Sequence, residues 1–102
     1  MAGKKVDANQ ALLKALQHPL RRSLLQRYVE SDAVDGLGPK ELALAEKAPL
    51  SNVSYHVRVL AERGALEIVS EAPVRGSVAH FYEATALVKE TPWVLATLGL
   101  EG

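Results

Sequence analysis

The sequence predicts a small, mainly α domain that carries one β-hairpin. Leucines recur at helical spacing through the first two-thirds of the chain. Prolines stand where new helices would open, and from residue 66 the pattern changes to short runs of branched and aromatic residues. A chain of 102 residues allows one domain, and a domain of that size buries roughly 65% of its unfolded surface. The apolar fraction of 48% is generous for so small a unit, so a second copy is expected to cover part of it.

Residues 1–7 read as a flexible tail before a domain over 8–100. In "NQALLKALQ", Leu12, Leu13 and Leu16 are assigned to one face of a short helix. His18-Pro19 interrupts it. The residue before a proline is driven from helical angles, whereas proline suits the first turn of the next helix. A second helix is therefore expected from Pro19 to about Glu30, with Leu20, Leu24, Leu25 and Tyr28 inward and Arg21, Arg22 and Arg27 on or near its wetter side. "SDAVDGLG" is a turn-rich link in which Leu37 can form a very short strand.

Pro39 opens a third helix, "PKELALAEK", with Leu42 and Ala45 as its buried positions. Pro49 opens a fourth that runs to about Arg63, and Gly64 is placed to end it in a left-handed turn. "LEIVSE" and "VAHFYEA" are of strand length. Between them "APVRGS" holds Pro73 and Gly76 as turn residues, with Arg75 at the hairpin tip. Thr91 is the expected N-cap of a last helix, "TPWVLATLG", with Pro92 in its first turn. The order helix, helix, helix, helix, hairpin, helix is that of a winged helix-turn-helix.

The fourth helix carries the main functional signal. At 100° per residue, Val53, Val57 and Leu60 lie within roughly 40° of one another and face inward. Ser51, Tyr55 and Arg58 fall on the opposite half, with Asn52 nearby. A polar outer face is usually just solvated. Solvated faces favour Glu, Lys and Gln, however, whereas this one offers Ser, Asn, Ser and Tyr, which are mediocre helix formers. In a helix-turn-helix the second helix presents its N-terminal half to the major groove. Ser51, Asn52, Ser54, Tyr55 and Arg58 are the expected base contacts: arginine suits guanine, asparagine suits adenine, and hydroxyls take a base edge or a phosphate. Lys40 and Arg75 are expected to reach phosphate or, from the hairpin, the minor groove.

"HPLRRSLLQRY" (18–28), "KELALAEKAPLSNVSYHVRVLAERGALEIV" (40–69) and "RGSVAHFYEAT" (75–85) together resemble the ArsR-type winged-helix transcriptional regulators, over about residues 10–90. The resemblance implies a homodimeric, double-stranded-DNA-binding regulator of repressor type. A recognition helix over about 49–63 would lie in the major groove, with a wing over about 72–77 on the backbone or minor groove. It places His56 within the recognition motif, either orienting the helix or touching phosphate. It also implies dimerisation through the first and last helices, which fits the apolar Leu12, Leu13, Leu16, Trp93, Val94, Leu95 and Leu98.

Other function classes find little support. There is no cysteine, and His18, His56 and His80 lie in three separate elements, so no metal or other cofactor is expected. No hydroxyl is visibly paired with a base and an orienting acid, and no glycine loop cradles phosphate, so no enzyme is expected. "MAGKKVDANQ" has no apolar run behind its lysines, which points to a cytoplasmic protein without a membrane partner. No small-molecule effector is read from the sequence. Twelve basic and twelve acidic side chains cancel, and this balance motivates one alternative: a winged-helix protein-interaction module that does not bind DNA. It would be favoured if Glu67, Glu71 and Glu83 crowded the wing beside Arg75.

Overall fold

A computed structural model describes residues 8–100, so the expected tail over 1–7 lies outside the described residues. The chain forms α1 (Ala8–Ala15), α2 (Pro19–Glu30), α3 (Pro39–Glu46) and α4 (Leu50–Glu62). Strands β1 (Leu66–Val74) and β2 (Ser77–Ala84) follow, then α5 (Ala86–Lys89) and α6 (Pro92–Thr97). It is a mixed fold of helices with one antiparallel two-stranded hairpin. No described helix is long and apolar enough to cross a membrane.

Proline and glycine punctuate the chain as expected. Pro19, Pro39 and Pro92 each open a helix, and Pro49 is the N-cap of α4. Gly64 takes a left-handed φ of 85° after α4, which lets Ala65 N–H reach back to the Leu60 carbonyl at 2.9 Å. Lys47 plays the same part after α3 at φ 55°, and Ala48 N–H donates to the Ala43 carbonyl.

The core is assembled from one stripe of each helix. Leu12 and Leu16, Leu24, Leu25 and Tyr28, Leu42, and Val53, Val57 and Leu60 meet Leu66 and Ala84 from the base of the hairpin. Val88, Val94 and Leu98 close the far side. Burying each of these large aliphatic side chains contributes about 1.5–3 kcal/mol. The Tyr28 hydroxyl donates to the Leu37 carbonyl at 3.1 Å; burial, then the charges of Tyr82 and Glu41, push its pKa well up, so it stays a neutral donor. Leu37 in turn exchanges both backbone bonds with Tyr82, at 2.8 and 2.9 Å, and so adds a one-residue third strand to the hairpin.

Several local expectations are corrected. Leu13 is not on the inner face with Leu12 and Leu16; it is 54% exposed, because its place lies about 100° around the helix from Leu12. Ala43, not Ala45, accompanies Leu42 into the core. Pro73 is inside β1, opposite Val78, and not in the turn. Thr91 does stand at the N-cap of α6, yet its hydroxyl donates back to the Leu87 carbonyl. That bond joins α6 to α5, a short helix with no separate signal in the sequence.

Candidate nucleic-acid interface

The turn Lys47-Ala48-Pro49 sets α4 against α3. Val53, Val57 and Leu60 are fully buried and hold one side of α4 on the core. The opposite side is open: Ser51, Asn52, Tyr55 and Arg58 are all exposed, with Tyr55 at 53%. No side chain caps the first turn of α4, so its leading backbone N–H groups keep their donor capacity toward whatever approaches.

Ser54 and Arg58 lie on the flank of α4 that faces the hairpin. With Leu50 and Val57 they form one wall of a groove of about 600 Å³. Gly38, Pro39, Lys40 and Glu41 from the start of α3 form its end, and Val74 and Ser77 through Tyr82 form the other wall. Lys40, Ser54 and Arg58 are therefore brought to one concave surface. Glu41 is partly occupied there, since its Oε1 accepts from Gly38 N–H at 3.0 Å.

The hairpin is held at both ends of its base. Thr85 Oγ1 donates to the Gly64 carbonyl at 2.8 Å, and Thr85 N–H donates to the Ala65 carbonyl at 3.0 Å. On the other side, Ser70 Oγ donates to the Asp35 carbonyl at 2.8 Å. A bulge lies between Ile68 and Ser70, where the pairing slips by one residue at Val69 and the strand bends. Arg75 and Gly76 alone make the tip, with φ of 39° and 77°. Two positive φ values in a two-residue loop are those of a type I′ turn, which normally favours Asn-Gly. Arginine there is a strained choice, and its side chain is fully outside at the tip.

The acidic residues do not crowd that tip. Glu67 pairs with Glu83 next to the buried Leu66–Ala84 pair, about 25 Å of strand from Arg75. Glu71 pairs with His80, and its carboxylate lies 3.1 Å from His80 Nε2.

His56 is on the opposite flank of α4 from Ser54 and Arg58, and it is half-buried. Arg21 Nη1 donates to its Nδ1 at 3.2 Å, and the His18 ring lies 4.3 Å away, centroid to centroid, tilted by 41°. Arginine has no acceptor, so Nδ1 carries the lone pair and His56 is the Nε2–H tautomer. Burial, then the charges of His18 and Arg21, hold its pKa below the ordinary histidine value.

Arg21 and Arg22 were not among the sequence-derived site residues. Arg21 Nε donates to the Ala15 carbonyl at 2.7 Å, and Arg22 Nη1 donates to the Leu16 carbonyl at 2.6 Å. They cap the carbonyl end of α1. Two arginines just after a helix break, beside carbonyls that a proline cannot serve, were the available signal. Arg27 instead pairs with Glu46 at 2.6 Å.

Of the apolar residues assigned to a dimer contact, Leu12, Leu16, Val94 and Leu98 are buried within the protomer. Trp93 and Leu95 are half-buried, and Leu13 is exposed. Leu13 and Trp93 share a shallow surface hollow with Asn9 and Gln10. No family model matches the chain, and none of the curated proteins matches it.

Proposed function

We propose that this protein is a winged helix-turn-helix regulator that binds double-stranded DNA as a homodimer. In this reading α3 and α4 are the helix-turn-helix, α4 enters the major groove, and the β1–β2 hairpin is the wing. The observation that carries it is the single concave surface bearing Lys40, Ser54 and Arg58, with the open face of Ser51, Asn52 and Tyr55 beside it. Two cations, hydroxyls and an amide on a rigid helix suit a duplex better than they suit bulk solvent. Lys40, the N-terminus of α4 and Arg75 would supply phosphate contacts, and Asn52, Tyr55 and Arg58 would read bases. The second copy would dock on Leu13 and Trp93, with Leu95 at the edge, and would place its own α4 about one helical turn of DNA away. Repression would follow from occupying a promoter, and the site would lie in the cytoplasm with the DNA.

A second reading, a protein-interaction module, is favoured by one observation. Ile68, Val74 and Val78 leave the hairpin unusually apolar outside, on a chain of zero net charge. One experiment separates the two: selection from a random duplex library at low salt. Enrichment of a palindrome, with binding that weakens steeply as salt rises, supports the regulator. Failure to retain any duplex supports the interaction module.

A further inference from the structure

Arg21 joins two elements with one guanidinium. Its Nε reaches the Ala15 carbonyl at the end of α1, and its Nη1 reaches His56 in the middle of α4, 35 residues further along the chain. The planar fork of arginine fixes the angle between these two bonds, so the end of α1 and the azimuth of α4 are set together. Leu13, in the adjoining turn of α1, is the exposed apolar residue beside Trp93. One end of the link is therefore two residues along α1 from Leu13 of the proposed docking patch, and the other is on the proposed reading helix.

We propose that Arg21 is a positioning residue for DNA recognition, holding α4 in register with the end of α1 through an unprotonated His56. This rests on the DNA-binding reading above. A proton on His56 Nδ1 would replace the acceptor with a donor and set two cations side by side, which breaks the link. The groups facing His56 from α2 and its N-cap are Arg21 and His18, and on α4 itself Tyr55 makes an edge contact at 5.1 Å. Glu46 of α3 is bonded to Ser23 and Arg27, and Lys14 of α1 borders Glu62 and Arg63 further along α4. The first acidic residue of β1, Glu67, lies beyond the Gly64 turn that ends α4, in the pair with Glu83. Among the described residues no carboxylate contacts the ring to offset an added proton.

The test is a double-mutant cycle on the duplex enriched by the wild-type protein. Arg21→Met and His56→Phe are each expected to weaken binding about tenfold near pH 7.5, and the double variant by no more than the larger single loss. Wild-type affinity should hold above about pH 6.5 and fall as the pH drops below it, and that fall should be absent in Arg21→Met, which has no link to lose. His18 and His80 are present in every variant, so the pH dependence is read as the difference between wild type and Arg21→Met. Should Arg21→Met fail to fold, Arg21→Lys serves, because one ammonium cannot hold both acceptors in the same fork. Additive losses, or an Arg21 variant that is folded and binds like wild type, would overturn the proposal. If the wild type enriches no duplex, the DNA reading itself fails, and the link is read on α4 directly. Hydrogen exchange at the Val57–Leu60 amides about tenfold faster in Arg21→Met would then sustain the coupling, and equal exchange would overturn it.

Discussion

Thr85 and Gly64 are joined across the base of the hairpin by a 2.8 Å hydrogen bond from the Thr85 hydroxyl to the Gly64 carbonyl. Gly64 follows α4 and Thr85 follows β2, so this bond ties the end of the helix to the end of the hairpin. Thr85→Val keeps the shape of the side chain and removes the donor. It is expected to cost about 1–2 kcal/mol in urea unfolding, with a larger loss of hydrogen-exchange protection in the hairpin than in α2.

Arg75 offers a case where stability and binding should part. Its φ of 39° at the first position of the turn suits Asn better than Arg. Arg75→Asn should raise the unfolding free energy by about 0.5–1 kcal/mol. The same change should weaken duplex binding uniformly across sequences and reduce the salt slope by about 1. A gain in stability without any loss of binding would remove Arg75 from the proposed interface.

Arg58 is exposed on the groove flank of α4. If it reads guanine, Arg58→Ala should cost about 1–3 kcal/mol of affinity and relax preference at one base pair. Repeating the duplex selection with the variant checks this, and equal loss on every sequence would make it a phosphate contact instead.

Two titrations should shape stability at separate pH windows. Burial, His18 and Arg21 hold the folded pKa of His56 below the ordinary value near 6.5. The unfolded chain then takes up the proton first, so stability is complete above about pH 6.5 and is lost as pH falls toward the folded value. Burial pushes the Glu46 carboxyl up, but bonds from Arg27 and Ser23 and the Arg27 charge outweigh it and leave its pKa lowered. Its contribution is present above the ordinary carboxylate range and is lost at more acid pH. Urea midpoints measured through both windows should show two steps, and His56→Gln should abolish the one nearer neutrality.

Gly36 has φ of 86° and passes close under the hairpin. A Cβ there would stand 2.7 Å from the Tyr82 carbonyl oxygen and 2.6 Å from Val69 Cγ2. Gly36→Ala should therefore destabilise by about 2–3 kcal/mol and break the Leu37–Tyr82 bridge, visible as lost protection of the Leu37 and Tyr82 amides.

The sequence by itself determined the punctuation and the outward face of α4. Pro19, Pro39, Pro49 and Pro92 restrict φ locally and Gly64 admits a positive φ, so both mark helix ends without reference to the rest of the chain. The spacing of Val53, Val57 and Leu60 likewise decided that Tyr55 and Arg58 face away, because helical periodicity is a property of adjacent turns. Even the single-residue strand at Leu37 was visible in its turn-rich surroundings. Tertiary structure alone decided that Arg21 joins Ala15 to His56, that Lys40 and Arg58 border one groove, and that Glu67 and Glu83 meet at the base of the hairpin. It also decided that Leu12 and Val94 serve the protomer's own core while Leu13 stays outside. Backbone preference and periodicity are written residue by residue. Contacts between side chains distant in sequence exist only once packing has fixed the distance between the elements that carry them.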